Sequence, residues 1–264
     1  MKQPGIFLSG GGARGAYQAG ALKALVEIIL PFKKRNLFPI VTGSSAGAIN
    51  ATAWASLCDR PKKASQLICE LWSSLDTSTI YKTDRFSLGR IGLRLIRDLT
   101  TGGYIADKKA SALLDTSPLK QFLQQHILFD RIERNIRGGH LNALAICATE
   151  YRRSEGFTFV QGASDLPDWQ RTRRHSEKTK ITIDHLMASS AIPLFFPPVF
   201  VDDKYFGDGC LRNLTPLSAP IKLGANPLII VGVQKPLALG GPFFEVHPPP
   251  SLAAVLSTII NSLF

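Results

Sequence analysis

Two hydrophobic rhythms alternate along this chain. Compact apolar runs mark strands, and apolar residues recurring every three or four positions mark helices. Ile6-Phe7-Leu8 is the centre of a short buried strand over residues 5–9. Leu22, Leu25, Val26 and Ile29 then share one face of a helix, which Pro31 and the basic cluster Lys33-Lys34-Arg35 bring to an end. A second strand is expected over residues 38–42 and a helix over 46–57. Asp59 and Pro61 open another helix, with Ala64, Leu67, Ile68, Leu71 and Leu75 on its core face. Ser117-Pro118 has the character of an N-cap and first helical position, for a helix reaching residue 127. Strands follow at 141–149 and 156–161, then a short helix at 184–191 and a hairpin at 199–206. A helix at 216–223, a central parallel strand at 227–233 and a last helix at 251–264 complete the pattern. Strands alternating with helices predict an α/β fold, a mostly parallel sheet covered on both faces.

Two stretches break the rhythm. Residues 76–109 are less regular, although Leu88, Ile91, Leu95 and Leu99 oppose Arg90, Arg94 and Arg97 as on a short basic amphipathic helix. Such a stripe suits an anionic bilayer, but more often it is a solvated face. Residues 171–180 read as a charged loop exposed to water. There are no internal repeats and no low-complexity linker, so residues 1–264 are expected to form one domain. The last helix ends on Ser-Leu-Phe without a polar tail, which favours a piece of a longer protein.

Composition changes this picture in three ways. The net charge of +11, from 31 basic and 20 acidic residues, favours anionic surfaces such as phospholipid membranes. No nucleic-acid-binding signature accompanies it, so no nucleic-acid partner is expected. Cys58, Cys69, Cys147 and Cys210 are scattered, which fits reduced thiols and neither a disulfide frame nor a metal site. No leader and no apolar run of the ~18 residues a membrane span needs is visible. The expectation is a cytoplasmic protein that meets membranes peripherally. The sequence leaves its oligomeric state open.

Three motifs carry candidate chemistry. Gly43-Ser44-Ser45-Ala46-Gly47 reads Gly-x-Ser-x-Gly between a predicted strand and a predicted helix, the context of a nucleophile elbow. There Ser45 is held in a strained turn with its hydroxyl exposed, and Gly43 and Gly47 give room for the turn. Gly10-Gly11-Gly12-Ala13-Arg14-Gly15 lies between the first strand and the first helix. Gly10, Gly12 and Gly15 match the dinucleotide fingerprint, but that fingerprint also asks for an acid about 20 residues on, at the end of the second strand. Glu27 falls too early and Asp59 too late, which disfavours nucleotide binding. The same glycines serve equally as an oxyanion hole, their amides converging on a developing negative charge, with Arg14 adding a cation.

A serine nucleophile needs a base. His126, His140, His175 and His185 sit where structural or solvent-exposed roles are expected. His247 follows Asp208 in the Ser–Asp–His chain order of an α/β-hydrolase triad, and it stays open as the base of a triad esterase. Asp208, in Gly207-Asp208-Gly209-Cys210, is the stronger candidate. Its flanking glycines permit close approach to the serine. Phe195, Phe196 and Phe206 can keep it dry, which would raise its pKa and its basicity.

Taken together, the glycine loop, the Ser45 elbow, the Asp208-Gly209 pair and Ala188-Ser189-Ser190-Ala191-Ile192-Pro193 resemble the patatin-like phospholipase family. The resemblance runs from Gly5 to about Val233. It implies a three-layer α/β/α sandwich and hydrolysis of acyl esters of lipids by a Ser–Asp dyad, with no metal and no cofactor. Carried over, Ser45 is the nucleophile and Asp208 the general base, and the Gly11, Gly12 and Arg14 amides are oxyanion donors. The chain departs from the pattern at Cys210, where the family has Gly or Ala. The expected partner is a phospholipid or another acyl ester.

Overall fold

The computed structural model of the chain describes residues 3–33, 36–82, 112, 114–212 and 217–233. The arginine-bearing stripe at 88–99, His247 and the helix expected at 251–264 lie outside the described residues.

Strand β1 (Gln3–Leu8) runs into a glycine-rich loop and a single 3-10 turn (Gly12–Arg14), then helix α1 (Gly15–Ile29). Next come β2 (Ile40–Ser44), α2 (Ala46–Leu57), α3 (Pro61–Ser74) and the short α4 (Thr77–Ile80). After these follow α5 (Ser117–His126), α6 (Phe129–Arg137), β3 (Ala143–Glu150), β4 (Glu155–Gly162), β5 (Gln170–Arg171) and β6 (Arg174–Lys178). Helix α7 (Ile183–Ser189), the hairpin β7 (Val199–Val201) and β8 (Lys204–Asp208), α8 (Ser218–Lys222) and β9 (Ala225–Val231) complete the described chain.

All nine strands of the described residues belong to one sheet. Its main path runs β5-β6-β4-β3-β2-β1-β9, and β8 pairs with both β3 and β7. The centre is parallel: β3 with β2, β2 with β1, β1 with β9. Both faces of that centre are covered, which is why its strands read as unbroken apolar runs. Ile6, Leu8, Val41, Leu144 and Ile146 belong to the larger core cluster, shared with α1, α2, α3 and α5. Ile40, Ala143 and Ala145 turn to the opposite face and pack with Val160, Trp169, Ala219 and Leu223. The fold is thus mixed α/β with helices flanking a mostly parallel sheet, as the alternating pattern predicts.

The axis of the larger layer is α2. Residues Ala46 through Ser56 are all buried. A helix surrounded on every side needs slender side chains, and this one is mostly Ala, Gly, Ser and Thr around a single Trp54.

Two sequence expectations require correction, and one helix was not foreseen. Part of the charged loop expected at 171–180 is a strand, because β6 pairs in parallel with β4 from Gly156↔Arg174 to Val160↔Lys178. The strand expected at the sheet centre, β9, instead ends the strand order among the described residues, and Ile230 on it is exposed. Helix α6, on which no element was expected, anchors Ile132 and Asn135 in the core. Its Asn135 side chain donates to the Ala55 carbonyl of α2 at 2.7 Å.

Candidate active site

Ser45 occupies the turn between β2 and α2, with φ 52° and ψ −124°. A non-glycine residue held there costs about 1–3 kcal/mol and persists only where its surroundings over-determine it. The carbonyl of Ser45 accepts the first amides of α2, Ala48 at 2.8 Å and Ile49 at 3.3 Å. Its own N–H donates to Ser189 Oγ at 3.0 Å. Gly43 and Gly47 face each other across the turn, and a Cβ on either would strike backbone: that of Gly47 in one case, that of Leu8 in the other.

Asp208 is the last residue of β8 and is completely buried. It reaches the serine because both strands use β3 as a common partner. Running parallel to β3, β2 stops with Ser44 opposite Cys147. Running antiparallel, β8 ends with Asp208 opposite Ala148, one residue further along. The two strands therefore meet tip to tip. Thr149 Oγ1 donates to the Asp208 carbonyl at 2.8 Å, and the Asp208 N–H donates to the Ala191 carbonyl at 2.9 Å.

Asp208 Oδ1 accepts the Cys210 N–H at 2.8 Å. The other oxygen, Oδ2, is buried without a full hydrogen bond. The Ser45 hydroxyl nonetheless lies against the carboxylate and lowers its pKa. Burial outweighs it: desolvation pushes the carboxyl up from 3.8 to about 6, against the opposing pull of Ser45 and Cys210.

The glycine loop abuts this pair. A Cβ on Gly10 would collide with Cys210 Sγ and come within 3.1 Å of Ser45 Cβ. Gly12 has φ +54° and open space where a side chain would project. The N–H of Arg14 donates to the Gly11 carbonyl at 3.1 Å, closing the 3-10 turn, and the Gly15 amide caps it. Among the described residues, the Gly11 and Gly12 amides have no carbonyl partner. Ala13 lines the same cavity as Ser45, and Gly15 packs its Cα against Trp72 and Ala46.

Cys210 is buried, and its thiol pKa is pushed strongly upward by desolvation and then by Asp208. Its sulfur lies 3.5 Å from Ser44 Oγ. Here it acts as a neutral filler between Gly10, Ser44 and Asp208. Gly10→Ala is expected to cost about 1–3 kcal/mol by overpacking, and adding Cys210→Ala should recover most of it. A double-mutant cycle in denaturant checks this, because additive effects would mean that the two side chains do not compete for one space.

A cavity of about 360 Å³ opens in front of Ser45. Gly12, Ala13, Ala46 and Ser190 line it beside Ser45, and Ile49, Trp72, Leu75, Ile80, Leu119 and Phe196 form an apolar wall. Among the described residues, no histidine lines it. The four described histidines have other neighbours: Phe122 for His126, Asn36 for His140, Glu155 for His175 and Thr182 for His185.

Sequence reasoning overlooked the network behind the glycine loop. The buried Gln18 side chain donates to the Ser9 and Val231 carbonyls, at 2.8 and 3.1 Å. Asn50 Nδ2 donates to Gln18 Oε1 and to the Gly15 carbonyl, while Trp72 Nε1 donates to Asn50 Oδ1 at 2.6 Å. The signal was available: Gln18 is the polar residue on the face that carries Leu22 and Val26.

Fold and site together define a mixed α/β protein with a strained serine at a strand-to-helix turn, beside a buried carboxylate and an apolar cavity. The model of the patatin-like phospholipases matches residues 6–221. The chain belongs to the patatin-like phospholipase family, a family of lipid-ester hydrolases. A comparison with curated proteins gives no match. Among solved structures, VipD from Legionella pneumophila aligns at 17% identity and a TM-score of 0.43, over 79% of this chain and 46% of that one. ExoU, solved with SpcU from the type III secretion system of Pseudomonas aeruginosa, aligns at 20% identity and a TM-score of 0.34, over 73% of this chain and 36% of that one. The chain thus spans less than half the length of either.

Proposed function

We propose that this chain is a serine acyl hydrolase of phospholipids or related lipid esters, working through Ser45 and Asp208. The observation that carries the proposal is the Ser45 hydroxyl lying against a buried, desolvated carboxylate at the mouth of an apolar cavity. The acyl chain occupies the cavity, with the ester carbonyl at Ser45. Asp208 takes the hydroxyl proton as Ser45 Oγ attacks, and the contact between them tightens in the reacting complex. The Gly11 and Gly12 amides hold the resulting oxyanion; the Arg14 amide, already bonded within its turn, contributes less. The alcohol or lysolipid departs with the proton held by Asp208. Water then attacks the acyl-serine, giving its proton to Asp208, which passes it to the departing Ser45 Oγ as the fatty acid is released. Gly10, Ala13 and Gly15 shape the loop.

A carboxylate with a pKa of about 6 is better matched to this task than an exposed aspartate, and is still ionised at neutral pH. The excess of basic residues supports peripheral contact with anionic lipid. A dinucleotide in the glycine loop would face a cavity with no carboxylate side chain among the described residues of its lining, which speaks against the fingerprint alternative.

The test is a fluorophosphonate probe followed by peptide mapping, with fatty-acid release from phosphatidylglycerol and phosphatidylcholine vesicles measured in parallel. Labelling at Ser45 and release of fatty acid are expected. Labelling at a different serine, or no release from either lipid, would sink the proposal. His247→Ala separates the remaining alternative: a dyad loses little rate, a triad nearly all of it.

A further inference from the structure

The last residue of α7 and the two that follow touch both halves of the site by backbone and hydroxyls. We infer that residues 189–191 are a clasp that sets the spacing of nucleophile and base, with Ser189 as its positioning residue. The inference rests on the Ser45–Asp208 reading above.

Ser189 is fully buried at the C-terminal end of α7. Its hydroxyl donates to the Cys147 carbonyl at 2.6 Å, which commits its only proton. Its oxygen is then left to accept the Ser45 N–H at 3.0 Å. One hydroxyl thus ties the amide of the strained residue to β3, at the residue next to Ala148, the partner of Asp208. Two residues on, the Ala191 carbonyl accepts the Asp208 N–H at 2.9 Å. Between them, Ser190 Oγ donates to the Ser45 carbonyl over a longer 3.4 Å. Nucleophile and base are therefore gripped at their main chains by three consecutive residues, while their side chains stay available to each other.

Loss of the Ser189 hydroxyl leaves the Ser45 amide and the Cys147 carbonyl buried without these partners. Main chain held at φ 52° then lacks its one side-chain acceptor and has reason to relax. Relaxation moves Ser45 Oγ away from the carboxylate. Misplacement on that scale lowers rate and leaves the cavity that binds the acyl chain intact.

The experiment compares Ser189→Ala and Ser189→Cys with wild type in the full chain, using Ser56→Ala as a control. Ser56 is an equally buried hydroxyl that donates to the Ala53 carbonyl at 2.8 Å, remote from the clasp. For Ser189→Ala, kcat and the fluorophosphonate labelling rate are expected to fall by about 10- to 100-fold, with KM within about two-fold and circular dichroism unchanged. The acid limb of kcat/KM should also move to higher pH, since the Ser45 hydroxyl that holds the carboxyl down has withdrawn. Ser189→Cys keeps a weak acceptor and should fall between; it also supplies the answer if the alanine variant does not fold. Ser56→Ala should lose stability and keep its labelling rate. Undiminished kcat and labelling in Ser189→Ala and Ser189→Cys, a change confined to KM, or equal losses in Ser56→Ala would overturn the clasp. Those outcomes alongside an inactive Ser45→Ala remove the clasp alone; a fully active Ser45→Ala removes the reading beneath it.

Discussion

Ser45→Ala is expected to lower lipid-ester hydrolysis by about 10⁴-fold or more without unfolding the protein. Alanine keeps the Cβ and the main-chain amide, so the bond to Ser189 Oγ survives and the turn keeps its φ of 52°. Only the attacking oxygen is lost. The Gly11 and Gly12 amides and the apolar cavity remain, so residual catalysis and undiminished binding of a lipid product are expected. Fatty-acid release from vesicles, with the thermal midpoint measured on the same sample, separates a chemical loss from a folding loss. A variant hydrolysing at more than about a hundredth of the wild-type rate would show that another group attacks.

Asp208→Asn should cost activity by about 10⁴-fold and should make the protein more stable at neutral pH. The carboxyl is at its ordinary 3.8 in the unfolded chain and about 6 in the fold. A raised folded-state pKa means that the native state holds its proton longer. The favourable contribution of the protonated group is complete below 3.8 and is lost as pH rises through 6, where the buried charge opposes folding. A carboxyl lifted that far by burial handicaps the fold by on the order of 3 kcal/mol once it is ionised, above about pH 7. Asparagine carries no charge there, keeps an oxygen for the Cys210 N–H and offers its NH2 group to Ser45 Oγ. Denaturant unfolding of both proteins at about pH 7.5 and about pH 4 checks the sign: the variant leads in the first, and the lead shrinks toward zero in the second. In the wild type, kcat/KM should rise with pH through an apparent pKa near 6. A variant less stable at the higher pH would mean that the ionised carboxylate is held by more than it lacks.

Much of this arrangement is legible in the sequence because much of it is local. The elbow, the glycine loop and α2 are each built from residues within about a dozen positions, where spacing translates directly into geometry. The meeting of Ser45 with Asp208 is of a different kind. It depends on β2 and β8 ending at neighbouring residues of β3, and register between distant strands leaves no periodic trace. Strand β6 escaped notice for a simpler reason. Arg174-His175-Ser176-Glu177-Lys178 has no apolar face; backbone pairing with β4 holds it, with contacts of His175 to Glu155 and Lys204 to Glu177 beside it. In Phe129–Arg137 the helical spacing is present, but charged residues outnumber the few that anchor it. The same limit hid the clasp: the serines at 189 and 190 look like ordinary small residues until their partners at 45 and 147 are known.

The reliance of both strand tips on β3 makes that strand the yardstick of the molecule. Its peptide repeat of about 3.3 Å fixes how far apart the two reacting groups stand, so exchanging side chains along it adjusts fit but not separation. Adding one residue between Cys147 and Ala148 would be another matter: the hairpin would dock one step out of phase, and the acid would turn toward the opposite layer. Substitutions in the cavity wall therefore leave this separation untouched, whereas an insertion between Cys147 and Ala148 does not.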